Sequence, residues 1–303
     1  MPTPNILVPR RFAHRGVAQA APENTLGAFE AAVALGLEGI ELDLRLSREG
    51  VPVVIHDENL TRLTCGHPSL HSNARVADLD WEALSRVEIP YANHTLNEDP
   101  PAGAENEFLA LLPGRCLGQE FNHDYISAYE RERRMARLMR LSDFLDWFAA
   151  NTPKTMEAEL EICAGGLARP VFELLDGHPA AARCIVFSGH PGYIGEMQTL
   201  AATRGKPAGL RLGANLRRLD EDVLEMIGDW DLFEIGLNPG WFTKEDVEIL
   251  RARGIEALAN LMDIPTWWAD LSAMGMYGFK TNYAGAYTKM LHALLNQRDP
   301  IQI

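Results

Sequence analysis

Cysteine is sparse in this chain of 303 residues: there are four, at Cys65, Cys116, Cys163 and Cys184. None stands in a CxxC pair or at Cys/His ligand spacing. That argues against a zinc site and makes reduced, structural thiols the expectation. Positive charge is also short. Lys and Arg total 28 against 42 Asp and Glu, a net charge of −14, so neither nucleic acid nor an anionic membrane fits as the main partner. No stretch approaches the ~20 apolar residues of a membrane span. The opening MPTPNILVPRRF holds no apolar core of the length a secretion signal requires, so a cytoplasmic protein is expected. No GxSxG elbow is present, and GLRLG lacks the helix context of a dinucleotide loop. No tract is depleted enough in hydrophobics to read as disordered. With 47% apolar residues, the chain can fill one large domain of barrel type or two smaller ones.

What is present centres on Gly39–Asp57, GIELDLRLSREGVPVVIHD. Side chains alternate along a strand, so Glu41 and Asp43 face the same way. Two like charges side by side in an interior are costly unless something cationic lies between them. The alternatives are a divalent metal or a solvated strand face. Ile40, Leu42 and Leu44 at the intervening positions, and the apolar run Val51–Ile55 that follows, favour a sheet covered on both sides.

The rest of the chain alternates strand and helix. Arg11–Ala13 is a short strand ending in His14-Arg15-Gly16. A helix follows, with Thr25 as N-cap, Gly36 as stop, and Leu26, Phe29, Val33 and Leu37 as its buried face. Between about Glu58 and Arg140 the rhythm fails. Prolines and short helical patches, among them YERERRMARLM, read as an insertion of cap type, too long for an ordinary connection. Strands centred near residues 12, 42, 158, 186, 210, 234, 257 and 279 number eight, each followed by a helix. This predicts an α/β protein, a (β/α)₈ TIM barrel over 1–303 with the insertion 58–140 after the second strand; a doubly wound open sheet is the alternative.

Active sites of such barrels lie at the C-terminal ends of the strands. The first strand delivers His14 and Arg15, the second Glu41 and Asp43, and the hairpin after it His56. The third, KTMEAELEI, carries Glu157, Glu159 and Glu161 on one face. Oxygen ligands suit a hard cation, Mg²⁺ or Ca²⁺. Paired histidines suit acid and base roles at neutral pH, and an arginine fork suits phosphate. These parts fit displacement at phosphorus.

HRG, PENT, ELD and a hairpin closing on HD, dense over Phe12–Arg62, resemble the glycerophosphodiester phosphodiesterase family. The resemblance implies a TIM barrel with an insertion after strand two. It further implies metal-dependent cleavage of a small glycerophosphodiester to glycerol 3-phosphate and an alcohol. On it, His14 and His56 are the catalytic pair, Arg15 binds phosphate, and Glu41, Asp43 and Glu159 are metal ligands, with Glu157 as runner-up to Glu159. Three positions depart from the family pattern. The lysine two residues after the strand-three glutamate is replaced by Glu161, or by Glu159 in the other register. Ala259-Asn260 stands for Trp-Thr, and Thr281-Asn282 for Thr-Asp. All three lie on the rim expected to meet the organic part of the substrate.

Other features have plainer readings. Ser188-Gly189-His190 is a structural or substrate-contacting loop. Glu120, His123 and Asp124 form a solvated cluster, and YERERRMAR a solvated helical face. Trp241 either packs or lines the pocket. Rival functions are cleavage of a sugar phosphodiester or lysophospholipid, a decayed phosphate- or sugar-binding barrel, and a metal-dependent lyase or isomerase. The last is weakened by the lack of a strand-borne lysine base near the carboxylates. Oligomeric state is open.

Overall fold

Eight parallel strands close on themselves. The computed structural model describes residues 8–64, 73–91, 135–216 and 218–289. The barrel strands are β1 (Arg10–Ala13), β2 (Gly39–Leu46), β3 (Glu157–Ile162), β4 (Cys184–Ser188), β5 (Arg211–Leu216), β6 (Glu234–Leu237), β7 (Glu256–Ala259) and β8 (Gly278–Thr281). Each pairs in parallel with its neighbours. Closure comes from β1, where Phe12 is registered against Gly39 of β2 and Lys280 of β8. An open doubly wound sheet has no such double pairing, so the barrel reading holds. The short strand Pro52–Val54 turns back antiparallel on β2.

Helices α1 (Leu26–Ala34), α2 (Leu141–Asn151), α3 (Ala168–Leu175), α4 (Pro191–Arg204), α5 (Glu221–Met226), α6 (Lys244–Ala252) and α7 (Pro265–Met274) follow strands one to seven, and a helical segment begins at Ala284 after β8. Local chemistry explains several ends. Thr243 and Asp246 form a reciprocal capping box at α6, satisfying donors that the first turn leaves open. Two expectations are corrected. The buried face of α1 is Ala28, Phe29 and Ala32, while Leu26 is exposed; the helix is seated by its small residues against the sheet. Met135–Arg137, expected within a helical patch, is a strand paired antiparallel with Glu88–Pro90.

The core fills the space between strands and helices. Phe29, Phe144 and Phe148 are fully buried; Phe144 meets Phe29 edge-on at 5.1 Å and stacks on Phe148 at 5.5 Å. Phe144→Ala is expected to lower unfolding free energy by about 3–5 kcal/mol through the cavity it leaves; denaturant unfolding monitored by circular dichroism measures it. A second, smaller cluster lies beside the barrel. It joins Val53, Ile55 and Leu60 to Leu84, Ile89 and Ala136, from both ends of the expected insertion.

Candidate active site

The mouth of the barrel opens into a cavity of about 340 Å³. Strands β1 to β3 and the hairpin line it with His14, Arg15, Glu41, His56 and Glu161, and β5 to β8 with Asn215, Asn238, Asn260 and Lys280. Sharp turns deliver the first residues. Arg15 is left-handed at φ 57° and Gly16 follows at φ 81°. A Cβ on Gly16 would lie 2.6 Å from the Ala28 methyl, so only glycine lets the turn after β1 press onto α1.

The Pro-Glu-Asn-Thr stretch supports this turn and the carboxylates. Asn24, also left-handed, donates its N–H to the Arg15 carbonyl at 2.9 Å. Its side chain clasps Asp43: Nδ2 donates to Oδ2 at 2.7 Å, and Oδ1 accepts the Asp43 N–H at 3.2 Å. Thr25 sits at the N-cap position but spends its hydroxyl on the Pro22 carbonyl at 2.6 Å. Glu23 accepts from Arg15 Nη1 at 3.0 Å and from Arg62 at 2.7 Å. Arg62 also donates to Asp57 at 2.6 Å, and Asp57 accepts from His56 Nδ1 at 2.7 Å. Arg15 closes the chain with Nε 3.0 Å from Asp43 Oδ2. Alternating charges thus run from Asp57 through Arg62, Glu23 and Arg15 to Asp43, each held by the next.

These contacts set the proton positions. Burial pushes Asp57 up, but His56 and Arg62 outweigh it and hold the carboxyl below its usual range. An ionised carboxylate only accepts, so His56 carries its proton on Nδ1 and presents Nε2 as the basic nitrogen. His14 arrives at the same tautomer by another route. Its Nδ1 lies 2.7 Å from Asn282 Oδ1, while Asn282 Nδ2 donates to Asp263 Oδ2 at 2.6 Å. With the amide oriented by Asp263, its oxygen accepts from His14. His14 Nε2 lies 3.9 Å from Glu41 Oε2. Burial, reinforced by Arg15, pushes His14 down to about 3, so it is neutral at pH 7.

The carboxylates are held under strain. Burial raises Asp43, but Arg15 above all, then His56 and His14, bring it down to about 2. Burial and the Asp43 charge push Glu41 well up, and the same two causes lift Glu161 to about 7. Glu41 Oε1 is buried with no hydrogen-bond partner among the described residues. Donor atoms of Asp43, Glu161 and Cys163 lie within 4.8 Å of one another. An orphaned carboxylate oxygen beside two more carboxylates is a donor set that fits a divalent cation.

The three glutamates of β3 share a face, as the alternation predicts, but each has a different depth. Glu157 closes the far end of the barrel: it pairs with Arg10 at 3.0 Å and Arg211 at 2.6 Å and accepts from Tyr277 at 2.6 Å. That removes it as a metal ligand. Glu159, expected as the third ligand, is fully buried two residues deeper than Glu161 and faces Lys280 Nζ at 3.3 Å. It does not line the cavity; Glu161 does, registered beside Asp43. Arg15 reaches the cavity with its guanidinium already shared between Glu23 and Asp43.

A family model described as the glycerophosphoryl diester phosphodiesterase family matches residues 14–165. The chain belongs to the glycerophosphoryl diester phosphodiesterase family. An uncharacterized Bacillus subtilis protein, YqiK, is 55% identical over 177 residues, 47% of this chain and 72% of that one. Glycerophosphodiester phosphodiesterase 1 of Bos taurus is 40% identical over 113 residues, but the match spans 37% of this chain and only 30% of the bovine protein. Among solved structures, a glycerophosphodiester phosphodiesterase from Agrobacterium tumefaciens superposes with TM-score 0.62 at 18% identity, over 93% of this chain and 99% of that one. An Oleispira antarctica phosphodiesterase in complex with its product sn-glycerol-3-phosphate superposes with TM-score 0.68 at 20% identity, over 95% and 97%. At such identities the structural likeness speaks for the barrel.

Within this member of the family, several working residues escape sequence reasoning. Glu23, Asn24, Asp57 and Arg62 lie inside the motif yet show their partners only when folded. Lys280 is the main omission, and it overturns the expectation that no strand-borne lysine stands near the carboxylates. It is 2% exposed, 3.3 Å from Glu159 and 3.5 Å from Asn215 Oδ1, and lies over the Phe187 ring at 3.6 Å. Burial alone would lower it, but Glu159, Glu41, Glu234 and Glu161 raise it, so it is a cation. A lysine inside the fully buried strand GFKT is the available signal. Ser188 is no nucleophile: its Oγ donates to the Ile162 carbonyl at 2.8 Å and accepts from the His190 N–H at 3.1 Å, and His190 caps α4. Trp241 is exposed and does not line the cavity. Glu120, His123 and Asp124 lie outside the described residues.

Proposed function

We propose that this protein hydrolyses a small glycerophosphodiester to a phosphomonoester, such as glycerol 3-phosphate, and an alcohol. The observation that carries the reading is the pairing, at one cavity, of two histidines whose Nδ1 atoms are each committed to a side-chain oxygen with a carboxylate group that retains an unpartnered oxygen. His14 and His56 each offer Nε2. One takes the proton of the attacking oxygen on Nε2; the other, protonated on both ring nitrogens, gives its Nε2 proton to the departing alkoxide. Glu41, Asp43 and Glu161 are the residues that would hold a divalent cation. That cation, when bound, supplies positive charge for the phosphoryl oxygens. Mg²⁺ or Ca²⁺ suits the carboxylates, and the neighbouring Cys163 thiol leaves room for a softer ion. Glu159 serves behind this set as the partner of Lys280.

Among the described residues, Arg15 and Lys280 bring lasting positive charge to the cavity. Lys280, from β8, supplies the positive charge whose loss from β3 the family resemblance makes conspicuous. The expected cap 58–140 lies mostly outside the described residues, and free Cys163 and Cys184 suit the cytoplasm. No helix among the described residues is long and apolar enough to cross a membrane.

The test is a panel of glycerophosphodiesters, a sugar phosphodiester and a lysophospholipid with added Mg²⁺, Ca²⁺ or Mn²⁺. Release of phosphomonoester from the first group is expected, with phosphorus NMR distinguishing an open from a cyclic product. Absence of turnover on every diester and metal would leave a binding barrel as the better reading.

A further inference from the structure

His14 and His56 are held in different ways, and the difference has its source outside the cavity. His56 meets a carboxylate at Nδ1, that of Asp57. His14 meets a neutral amide, that of Asn282. A carboxamide can be turned end for end, with opposite results. With Oδ1 toward His14 it accepts, and the ring proton sits on Nδ1. With Nδ2 toward His14 it donates, and the proton must sit on Nε2. Glu41 favours the second arrangement, since its Oε2 lies 3.9 Å from His14 Nε2. The orientation of one buried amide therefore decides which nitrogen of His14 is free at the cavity.

Asp263, four residues past the end of β7, makes that decision. Its Oδ2 accepts from Asn282 Nδ2 at 2.6 Å. Its Oδ1 accepts from the Asn282 N–H and from Thr281 Oγ1, both at 2.8 Å. Thr281 Oγ1 itself accepts the Tyr283 N–H at 3.0 Å, which leaves the hydroxyl proton for Asp263. Burial pushes the Asp263 carboxyl up, and the Asn282 and Thr281 donors oppose it. Asn282 and Asp263 are 1% and 4% exposed. Turned over, the amide would set its oxygen against a carboxylate oxygen with no water to intervene, a costly arrangement. The chain is bent to place Asp263 there. Leu261 is left-handed at φ 48°, a strained conformation for a bulky residue that persists only where its surroundings impose it. They do: the Met262 N–H donates to the Lys280 carbonyl at 2.8 Å, and Trp268 Nε1 donates to the Met262 carbonyl at 2.7 Å. Neither Asn282 nor Asp263 lines the cavity. We infer that Asp263 is a positioning residue for His14, acting through the Asn282 amide to fix the ring proton on Nδ1 and leave Nε2 to exchange a proton at the cavity. The kinetic consequence rests on the proposed diesterase reading; the hold on the imidazole does not.

The experiment is nitrogen-15 NMR of the imidazole rings in the full chain at neutral pH, with the His14 signals identified by their absence from the His14→Ala protein. The wild type is expected to show a pyrrole-type Nδ1 and a pyridine-type Nε2. In Asp263→Asn, the Asn282 N–H keeps the new amide's oxygen on its side, so the new NH₂ faces the Asn282 side chain. That side chain must then turn over and donate to His14. The two His14 shifts are expected to exchange, and kcat on a glycerophosphodiester to fall by about 10²-fold or more with KM little changed. A second variant joins Asp263→Asn to Asn282→Asp, which moves the carboxylate directly onto Nδ1 and keeps every hydrogen bond of the group. It is expected to restore the wild-type tautomer and most of kcat. A pyridine-type Nδ1 in the wild type, unaltered shifts in Asp263→Asn, or a paired variant that regains the tautomer without regaining kcat would overturn the positioning role. Exchanged shifts in a protein that cleaves no diester would sink the diesterase reading and leave the hold of Asp263 on His14 standing.

Discussion

Replacing His14 with alanine is expected to cut turnover of a glycerophosphodiester by roughly 10²–10⁴-fold, the usual worth of a general acid or base. The expectation rests on three facts about the folded site. His14 is buried at the cavity, its Nδ1 is committed to Asn282, and burial with Arg15 keeps it neutral at pH 7. A neutral imidazole with one nitrogen spent offers the other for a single proton transfer. The loss should therefore fall on kcat more than on KM. Removing the ring also takes one donor from the buried Asn282 side chain, at a cost of about 1–3 kcal/mol, below the stability of an ordinary domain. A melting curve near that of the wild type, together with collapsed kcat, is the supporting result. A His14→Ala enzyme with full activity would sink the two-histidine reading. His56→Ala should fall in the same range, and the double variant should cost much less than the product of the two, since the histidines serve one reaction.

Chelation is expected to abolish activity, and readdition of a divalent cation to raise the melting temperature more at pH 7.5 than at pH 5.5. The sign follows from the carboxylates. Burial and Asp43 lift Glu161 to about 7 and push Glu41 well up. Their folded values exceed the unfolded ones, so the native state holds extra protons above the ordinary glutamate range. Stability of the metal-free protein is then lost as pH rises through about 7. His14 runs the other way: with its folded value depressed to about 3, it costs stability as pH falls below its ordinary value of 6.5. Comparing metal-loaded and metal-free protein at one pH largely cancels the histidine. What remains is competition between protons and cation for the same oxygens, which favours the cation at higher pH. At a free concentration of 100 times Kd, the gain is about 2.7 kcal/mol, or roughly 5–10 °C for a chain of this size. Equal shifts at both pH values would argue that the ion binds elsewhere. Glu161→Gln should weaken the shift more than Glu159→Gln if Glu161 is the ligand, and the reverse order would restore Glu159.

Much of this molecule can be read along the chain. Glu41 and Asp43 do face one way from β2, their alternates Ile40, Leu42 and Leu44 are fully buried, and all eight strands lie within a few residues of the expected centres. Period-two alternation and helix-period stripes are local properties and survive folding intact. The errors also have local causes. YERERRMARLM has helical composition, yet Met135–Arg137 pairs with Glu88–Pro90 because Ala136 is needed in the small second cluster. Tertiary packing outweighs propensity over such short spans.

Depth was out of reach. The pattern of β3 puts Glu157, Glu159 and Glu161 on one face, but alternation carries no information about how far each lies from the mouth. The β2–β3 register and the closure of the barrel made one an ion-pair plug, one the partner of Lys280 and one a cavity residue. The identity of the counter-charge was equally hidden, since Lys280 comes from the far end of the chain and meets Glu159 only because β8 closes onto β1. So the chain alone dictates the alternation, the barrel count and the HRG, PENT, ELD and HD chemistry, all of which depend on neighbours a few residues apart. Which carboxylate reaches the cavity, which cation answers the buried acids and which strand ends bring asparagines to the mouth are settled by strand register and ring closure. Those follow from burying the whole core at once, and no short window of sequence contains them.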